Sequence, residues 1–184
     1  VQNFKYYSGE GADMLIRRCL KDAGDPELMH YEECRSLYRE KFDADPLYKV
    51  VPYDGIMETL KELKNRGMKL AVCSNKPHVA AVKVIAQMFD GYFDLVIGQS
   101  DEIRRKPAPD GPLKAAQEFG VTPSECMYVG DTKTDMETGN AAKMHTVGVL
   151  WGFRDRWELE SNGAEVIAEK PQDLLKICEE RKND

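Results

Sequence analysis

Histidine is scarce in this chain, and the three it has, His30, His78 and His145, fall on separate segments without metal-like spacing. That disfavours a histidine-built metal centre. The five cysteines, at positions 19, 34, 73, 126 and 178, show no ligand-like spacing either, and an odd count leaves at least one outside any disulfide. This is the usage of reduced cytosolic thiols. No apolar run approaches membrane-spanning length and no signal-like stretch opens the sequence, so the expected location is cytoplasmic, with no membrane partner. A basic excess is also lacking: 26 Lys and Arg stand against 32 Asp and Glu, for a net charge of −6 and a pI near 5.2. Without a basic stripe interleaved with aromatics, no nucleic-acid partner is expected, and a small molecule is the better candidate. Internal repeats and low-complexity tracts are missing as well. What is present is 184 residues, 42% of them hydrophobic, enough for one domain or a core with a small insertion.

The chain reads in two parts. From Val1 to about Tyr48 the pattern is helical: Met14, Leu15, Arg18 and Cys19 share one face, and Leu28, Tyr31, Leu37, Tyr38 and Phe42 recur at helical spacing. Asp43-Ala44-Asp45-Pro46 and Pro52 mark the connection onward. From Val50 strands and helices alternate. Strands are expected at Lys69 to Cys73, Asp94 to Ile97, Cys126 to Val129, His145 to Val149 and Ala164 to Ile167. Helices are expected near Asp54 to Asn65, Pro77 to Met88, Pro112 to Phe119, Thr134 to Ala142 and Pro171 to Glu180, before a solvated tail over Glu179 to Asp184. Such alternation predicts an α/β, Rossmann-like doubly wound parallel sheet. The expected division is a helical cap over 1–48 and a core over 49–184.

Chemistry-bearing residues follow three of these strands. After Cys126 to Val129 comes Gly130-Asp131-Thr132-Lys133-Thr134-Asp135, two acids four residues apart at a strand end, the edge where open α/β sheets bind ligands. Each acid also has a plain structural alternative: Gly130-Asp131 as a turn, and Asp135 in the first turn of a helix capped by Thr134. Ser74-Asn75-Lys76 follows the strand ending at Cys73, and Ser74 is either a turn or capping residue or a ligand group. After Asp94 to Ile97 comes Arg104-Arg105-Lys106-Pro107-Ala108-Pro109-Asp110, where prolines on both sides of Ala108 stiffen the segment that carries Lys106.

In the order Ser74, Lys106, Asp131, Asp135, the set resembles the second, third and fourth motifs of the haloacid dehalogenase (HAD) superfamily of phosphohydrolases, over nearly the whole chain. Gly148 to Arg154 resembles a turn of its phosphoglycolate phosphatase branch. The resemblance implies a HAD-like core with a small helical cap, and a Mg²⁺-dependent phosphatase acting on a small phosphorylated metabolite through an aspartyl-phosphate intermediate. It further implies that Ser74 and Asn75 bind phosphate, that Lys106 neutralises phosphate and attacking carboxylate, that Asp131 holds the metal, and that Asp135 holds the metal's water or orients Lys106. In the cap, Gly9 and Gly11 are expected to bring backbone to the substrate, ahead of a helix starting near Ala12. Arg17, Arg18 and Lys76 are either charge partners of substrate or solvated residues, and Trp151 and Phe153 are expected to pack a turn.

One motif of the family has no counterpart: no Asp-x-Asp-x-Thr segment, source of the nucleophile and the general acid and base, occurs in these 184 residues. The resemblance puts that strand between those preceding Ser74 and Asp131. The expectation is therefore a HAD-like core lacking its first strand, short by roughly 30 to 40 residues at ordinary element lengths, and inactive alone. Sugar-phosphate mutases and pyrophosphatases share the remaining motifs. A non-catalytic binding protein and a phospho-accepting receiver are alternatives of other classes, the second disfavoured by the helical cap and by Lys106 to Pro109. Monomer and homodimer both remain open.

Overall fold

The computed structural model describes residues 4–45 and 47–181, with the backbone alone for Phe4. Expectations for 1–3, for Pro46 and for the tail at 182–184 lie outside the described residues. The chain divides into two compact units, Val1–Val50 and Val51–Asp184.

The first unit is helical: α1 (Phe4–Tyr7), α2 (Ala12–Asp22) and α3 (Tyr31–Ala44), with Ile16 its buried residue. Leu28 does not continue the helical spacing expected of it. The Asp25 carboxylate accepts from the amides of Met29 (2.9 Å) and His30 (3.0 Å), and the turn so formed puts Leu28 at φ 60 before α3 begins. Tyr38 and Phe42, one helical turn apart, stack at 5.6 Å.

The second unit alternates as expected: α4 (Ile56–Asn65), β1 (Ala71–Pro77), α5 (His78–Met88), β2 (Leu95–Gln99), α6 (Asp110–Phe119), β3 (Met127–Gly130), α7 (Lys133–Ala141), β4 (His145–Val149), α8 (Arg156–Ser161), β5 (Val166–Ala168) and α9 (Asp173–Arg181). It is an α/β fold whose strand pairings are all parallel among the described residues. The sheet is in two pieces, β1 with β2 and β3 with β4 and β5. It divides between β1 and β3, where the resemblance places the Asp-x-Asp-x-Thr strand.

Three local differences bear on the site. β1 runs through Ser74-Asn75-Lys76 to Pro77 rather than stopping at Cys73, with its register on β2 shifting between Ser74 and Pro77. Gly98 permits this, because a Cβ there would lie 2.5 Å from His78 Cα and 2.7 Å from the Lys76 carbonyl oxygen. The cap of α7 is Thr132, not Thr134. Thr132 is extended (φ −138, ψ 161) and forms a capping box with Asp135. α8 was not expected at all, although Asp155 three residues before Glu158 is a legible start signal; the Asp155 carboxylate accepts the Glu158 amide at 2.9 Å.

Burial fixes the helix that carries Asp135. Met136, the next residue, is fully buried, and a methionine so placed is worth roughly 1.5–3 kcal/mol over exposure. Val147, Val149, Ala168, Leu174 and Ile177 form one core cluster, with the partly buried Trp151 packed on it. Ala116, Tyr128, Ala142 and Met144 form a second, against which Cys73 of β1 packs. Among the described residues no helix is long and apolar enough to cross a membrane.

Candidate active site

At their carboxyl ends the strands deliver the residues singled out above. Asp135, in the first turn of α7, is the hub. Its Oδ2 accepts from the Thr132 hydroxyl (2.8 Å), the Thr132 amide (3.1 Å) and the Asp131 amide (3.3 Å), and its Oδ1 accepts from Lys106 Nζ at 2.7 Å. Asp135 therefore caps α7 and is also ion-paired with Lys106. Gly130 has to be glycine here, since a Cβ would overlap the Asp135 side chain.

Lys106 is held at both ends. Its backbone amide donates to Asn75 Oδ1 at 2.7 Å, and its carbonyl accepts from Asn75 Nδ2 at 3.3 Å. The Asn75 side chain therefore grips the Lys106 backbone. The prolines have an ally that the sequence did not announce: Arg104 forks onto Asp110 through Nε and Nη2, both at 2.7 Å, closing the loop from both sides. The Lys106 side chain is only 18% exposed. Burial opposes its charge, but Tyr128, Asp135 and Cys73 outweigh that and raise its pKa above the ordinary lysine value, Tyr128 and Cys73 acting only at the high pH where they ionise. Burial pushes the Tyr128 phenol up as well, and the Cys73 thiol up to about 11, so both are neutral at pH 7.

Ser74, Asn75, Cys73 and Lys106 line one small cleft with Gly111 and Pro112. Ser74 Oγ accepts the Lys76 amide at 3.1 Å, a local turn that leaves the hydroxyl hydrogen to donate. Asp131, after β3, accepts the Phe153 amide on Oδ2 at 2.9 Å, and a Cβ on Gly152 would overlap its side chain. Its pKa is raised, first by burial and then by the charge of Asp135, against the opposing pull of the Phe153 amide and Lys106. Gly9 and Gly11 belong to the helical unit, both at positive φ (115 and 91), with Gly11 preceding α2. Of the two arginines considered there, Arg18 bonds the carbonyls of Tyr6 and Tyr7 and the Glu10 carboxylate, and Arg17 lies over the Tyr31 ring. Burial lowers the pKa of Lys76.

The thiol gives the first expected result. A group whose folded pKa exceeds its unfolded value stabilises the fold while neutral, so Cys73 contributes fully below pH 9, and the contribution is lost as pH rises from 9 towards 11. Iodoacetamide at pH 8 should label Cys73 more slowly in the folded chain than in urea-unfolded chain. Equal rates would contradict its burial.

A family model for haloacid dehalogenase-like hydrolases matches residues 3–149. The phosphoglycolate phosphatase of Aquifex aeolicus is 33% identical over 178 residues, 96% of this chain and 79% of that protein. The phosphoglycolate phosphatase of Pseudomonas putida is 28% identical over 182 residues, covering 97% of this chain and 66% of its own length. A solved structure of a proposed phosphoglycolate phosphatase from Lactobacillus delbrueckii subsp. bulgaricus superposes with a TM-score of 0.90 at 30% identity, over 96% of this chain and 82% of that one.

Proposed function

Since this chain belongs to the haloacid dehalogenase-like hydrolases and is a phosphatase of that family, we propose that it handles a small phosphorylated metabolite of the phosphoglycolate kind, with Mg²⁺, through an aspartyl-phosphate intermediate. The observation that carries this is the buried Lys106–Asp135 pair at 2.7 Å, beside Ser74 and Asp131 at the ends of parallel strands. Phosphoryl transfer needs little covalent chemistry from most of a site, but it needs positive charge and donors fixed around the transferred group. Lys106 supplies the charge, and Ser74 supplies a hydroxyl donor. Asp135 keeps the ammonium in place, and Asn75 keeps the loop in place. The attacking carboxylate is not among these 184 residues, which contain no Asp-x-Asp-x-Thr segment. The reading gives them the electrostatic half of the reaction.

The donor set fits Mg²⁺ of one kind only. Among the described residues no three His, Cys, Asp or Glu gather as a cage. Mg²⁺ does not need one: it keeps several waters and takes one or two carboxylates plus substrate phosphate. Asp135 is engaged with Lys106 and the α7 cap, so Asp131 is the residue that would hold the ion, and its raised pKa reflects a buried negative charge that a cation relieves. When bound, the ion would offset the charge of the phosphate.

Three measurements test this. Mg²⁺ should raise the melting temperature of the chain, and Asp131→Asn should abolish the rise without lowering stability in chelator, because it removes a desolvated charge. An undiminished Mg²⁺ response in Asp131→Asn would remove Asp131 from the metal site. For the reaction, the 184-residue chain should not turn over p-nitrophenyl phosphate, and robust turnover would refute a nucleophile outside it. Reading the gene upstream of Val1 and assaying the longer product, if an Asp-x-Asp-x-Thr segment is there, against phosphoglycolate, hexose phosphates, nucleotides and pyrophosphate would rank the substrates.

A further inference from the structure

The turn after β4 and the short helix α8 carry none of the four strand-end site residues, yet they hold one of them. Gly152 lies so close to Asp131 that a Cβ would overlap its side chain, and the Phe153 amide donates to Asp131 Oδ2 at 2.9 Å. The next residue, Arg154, is only 10% exposed, and its Nε lies 3.1 Å from Glu158 Oε1. The same Oε1 accepts, at 3.2 Å, the amide of Lys133, the first residue of α7 and the second after Asp131. One oxygen of α8 therefore joins the two segments that flank the Asp131 carboxylate. α8 itself is fixed by Asp155, whose carboxylate accepts the Glu158 amide at 2.9 Å, and by the fully buried Leu159.

We propose that Glu158 is a positioning residue for Asp131, holding the 152–154 turn against the start of α7 so that the Asp131 carboxylate keeps a fixed orientation. The Asp131 backbone is held from one side, because Asp135 accepts its amide at 3.3 Å and that of Thr132 at 3.1 Å. Its side chain is held from the other side by the Phe153 amide, and that bond orients the carboxylate only as well as the turn is itself held. Glu158 ties the turn to the same frame as the backbone. Partners one step removed from a metal-binding carboxylate set its direction and hence its affinity for the ion. Two plainer roles compete. A carboxylate beside the first amides of a helix is favoured by its charge, and an Arg–Glu pair four residues apart is a common surface feature. Both of those use the charge of Glu158, whereas the bridge uses its acceptor oxygen.

The proposal rests on Asp131 as the metal ligand, so its test begins with a readout that needs no metal. In the ¹⁵N-labelled chain, Glu158→Ala should speed hydrogen exchange of the Phe153 amide about tenfold or more, through opening of the turn, with the β4 amides unmoved. Glu158→Gln, which keeps an acceptor oxygen, should hold Phe153 close to its wild-type rate. Arg156→Ala, which removes pairs with Glu160 and Glu169 from the same helix, should do so too. Unchanged Phe153 exchange in Glu158→Ala would overturn the proposal. Equal acceleration in Glu158→Gln would also overturn it, by reducing Glu158 to a charge, and equal acceleration in Arg156→Ala would do so by reducing it to a brace of α8.

The second arm titrates Mg²⁺ into the same proteins and follows the Thr132 and Phe153 amide signals. Asp131→Asn should abolish their saturable displacement. Glu158→Ala should weaken the apparent affinity about tenfold, with Glu158→Gln near wild type. If Asp131→Asn responds as wild type does, Asp131 is not the metal ligand, and the role proposed for Glu158 falls with it even where Phe153 exchange has quickened. If Asp131→Asn loses the response and Glu158→Ala keeps wild-type affinity, the metal reading stands and the positioning role is refuted.

Discussion

Asp135→Ala is expected to destabilise the chain by about 3–5 kcal/mol, the range found when one partner of a buried ion pair is removed. The side chain is 8% exposed and accepts four hydrogen bonds, from the Asp131 amide, the amide and hydroxyl of Thr132, and Lys106 Nζ. Alanine removes all four acceptances together. It orphans the amides that begin α7 and leaves an ammonium, itself only 18% exposed, without its counter-charge. Asp135→Asn keeps the shape and one acceptor oxygen, so it should fall between wild type and alanine. Adding Lys106→Met to Asp135→Asn should recover part of the loss, because the unpaired charge goes with the lysine. Urea unfolding at constant m-value measures all three, and an alanine cost below about 1 kcal/mol would show that the pair does not hold the site together.

Gly98→Ala is expected to be the next most damaging single change, at about 1–3 kcal/mol for overpacking with backbone displacement. Its added methyl would meet His78 Cα at 2.5 Å, the Lys76 carbonyl at 2.7 Å and the His78 amide nitrogen at 2.8 Å. All three are backbone atoms, so no side chain can swing aside to make room. Relief requires β2 to part from the end of β1 where the register shifts, which breaks the Gly98 amide's bond to His78 Nδ1 at 3.3 Å and carries Ser74 and Asn75 with it. Hydrogen exchange should report the loss at Lys76 and His78 first, ahead of β4. Protection unchanged at those amides would mean that the strands relax without separating.

These two residues also show what the sequence could and could not convey. Alternation of strands and helices from Val50 onward is legible because each element buries a local pattern, and every strand expected there forms. Site residues in motif order are legible because Ser74, Lys106, Asp131 and Asp135 sit at strand ends and helix starts, positions that local signals mark. Partnerships are not, because they join residues far apart in the chain. Nothing near Asn75 says that its amide grips the backbone of Lys106, 31 residues on. Nothing near Gly98 says that β1 will run past Ser74 against it. The Thr132 cap is legible, since Thr132 and Asp135 have capping-box spacing, although Thr134 is the capping residue the sequence reading names. The helical unit was legible as helical but not in its turns, where Asp25 draws Leu28 out of the periodic pattern.

The division of the sheet gives the Lys106–Asp135 pair a second meaning. Lys106 stands on the loop after β2, and Asp135 on the helix after β3, so the ion pair crosses from one sheet piece to the other. With no ladder between β1 and β3 among the described residues, what joins the two pieces includes a rivet of charge, the side chains of Cys73, Tyr128 and Ala116, and the packing of α4 on α9, where Arg66 bonds the Leu175 carbonyl at 3.3 Å. A rivet at the ligand-facing end makes cooperativity depend on the site's charge. On the function proposed above, a phosphate drawing on Lys106 would compete with Asp135 for the same ammonium, and a metal on Asp131 would weigh on the same balance. Under that proposal, occupancy of the site would be coupled to how firmly the two halves of the core move as one body.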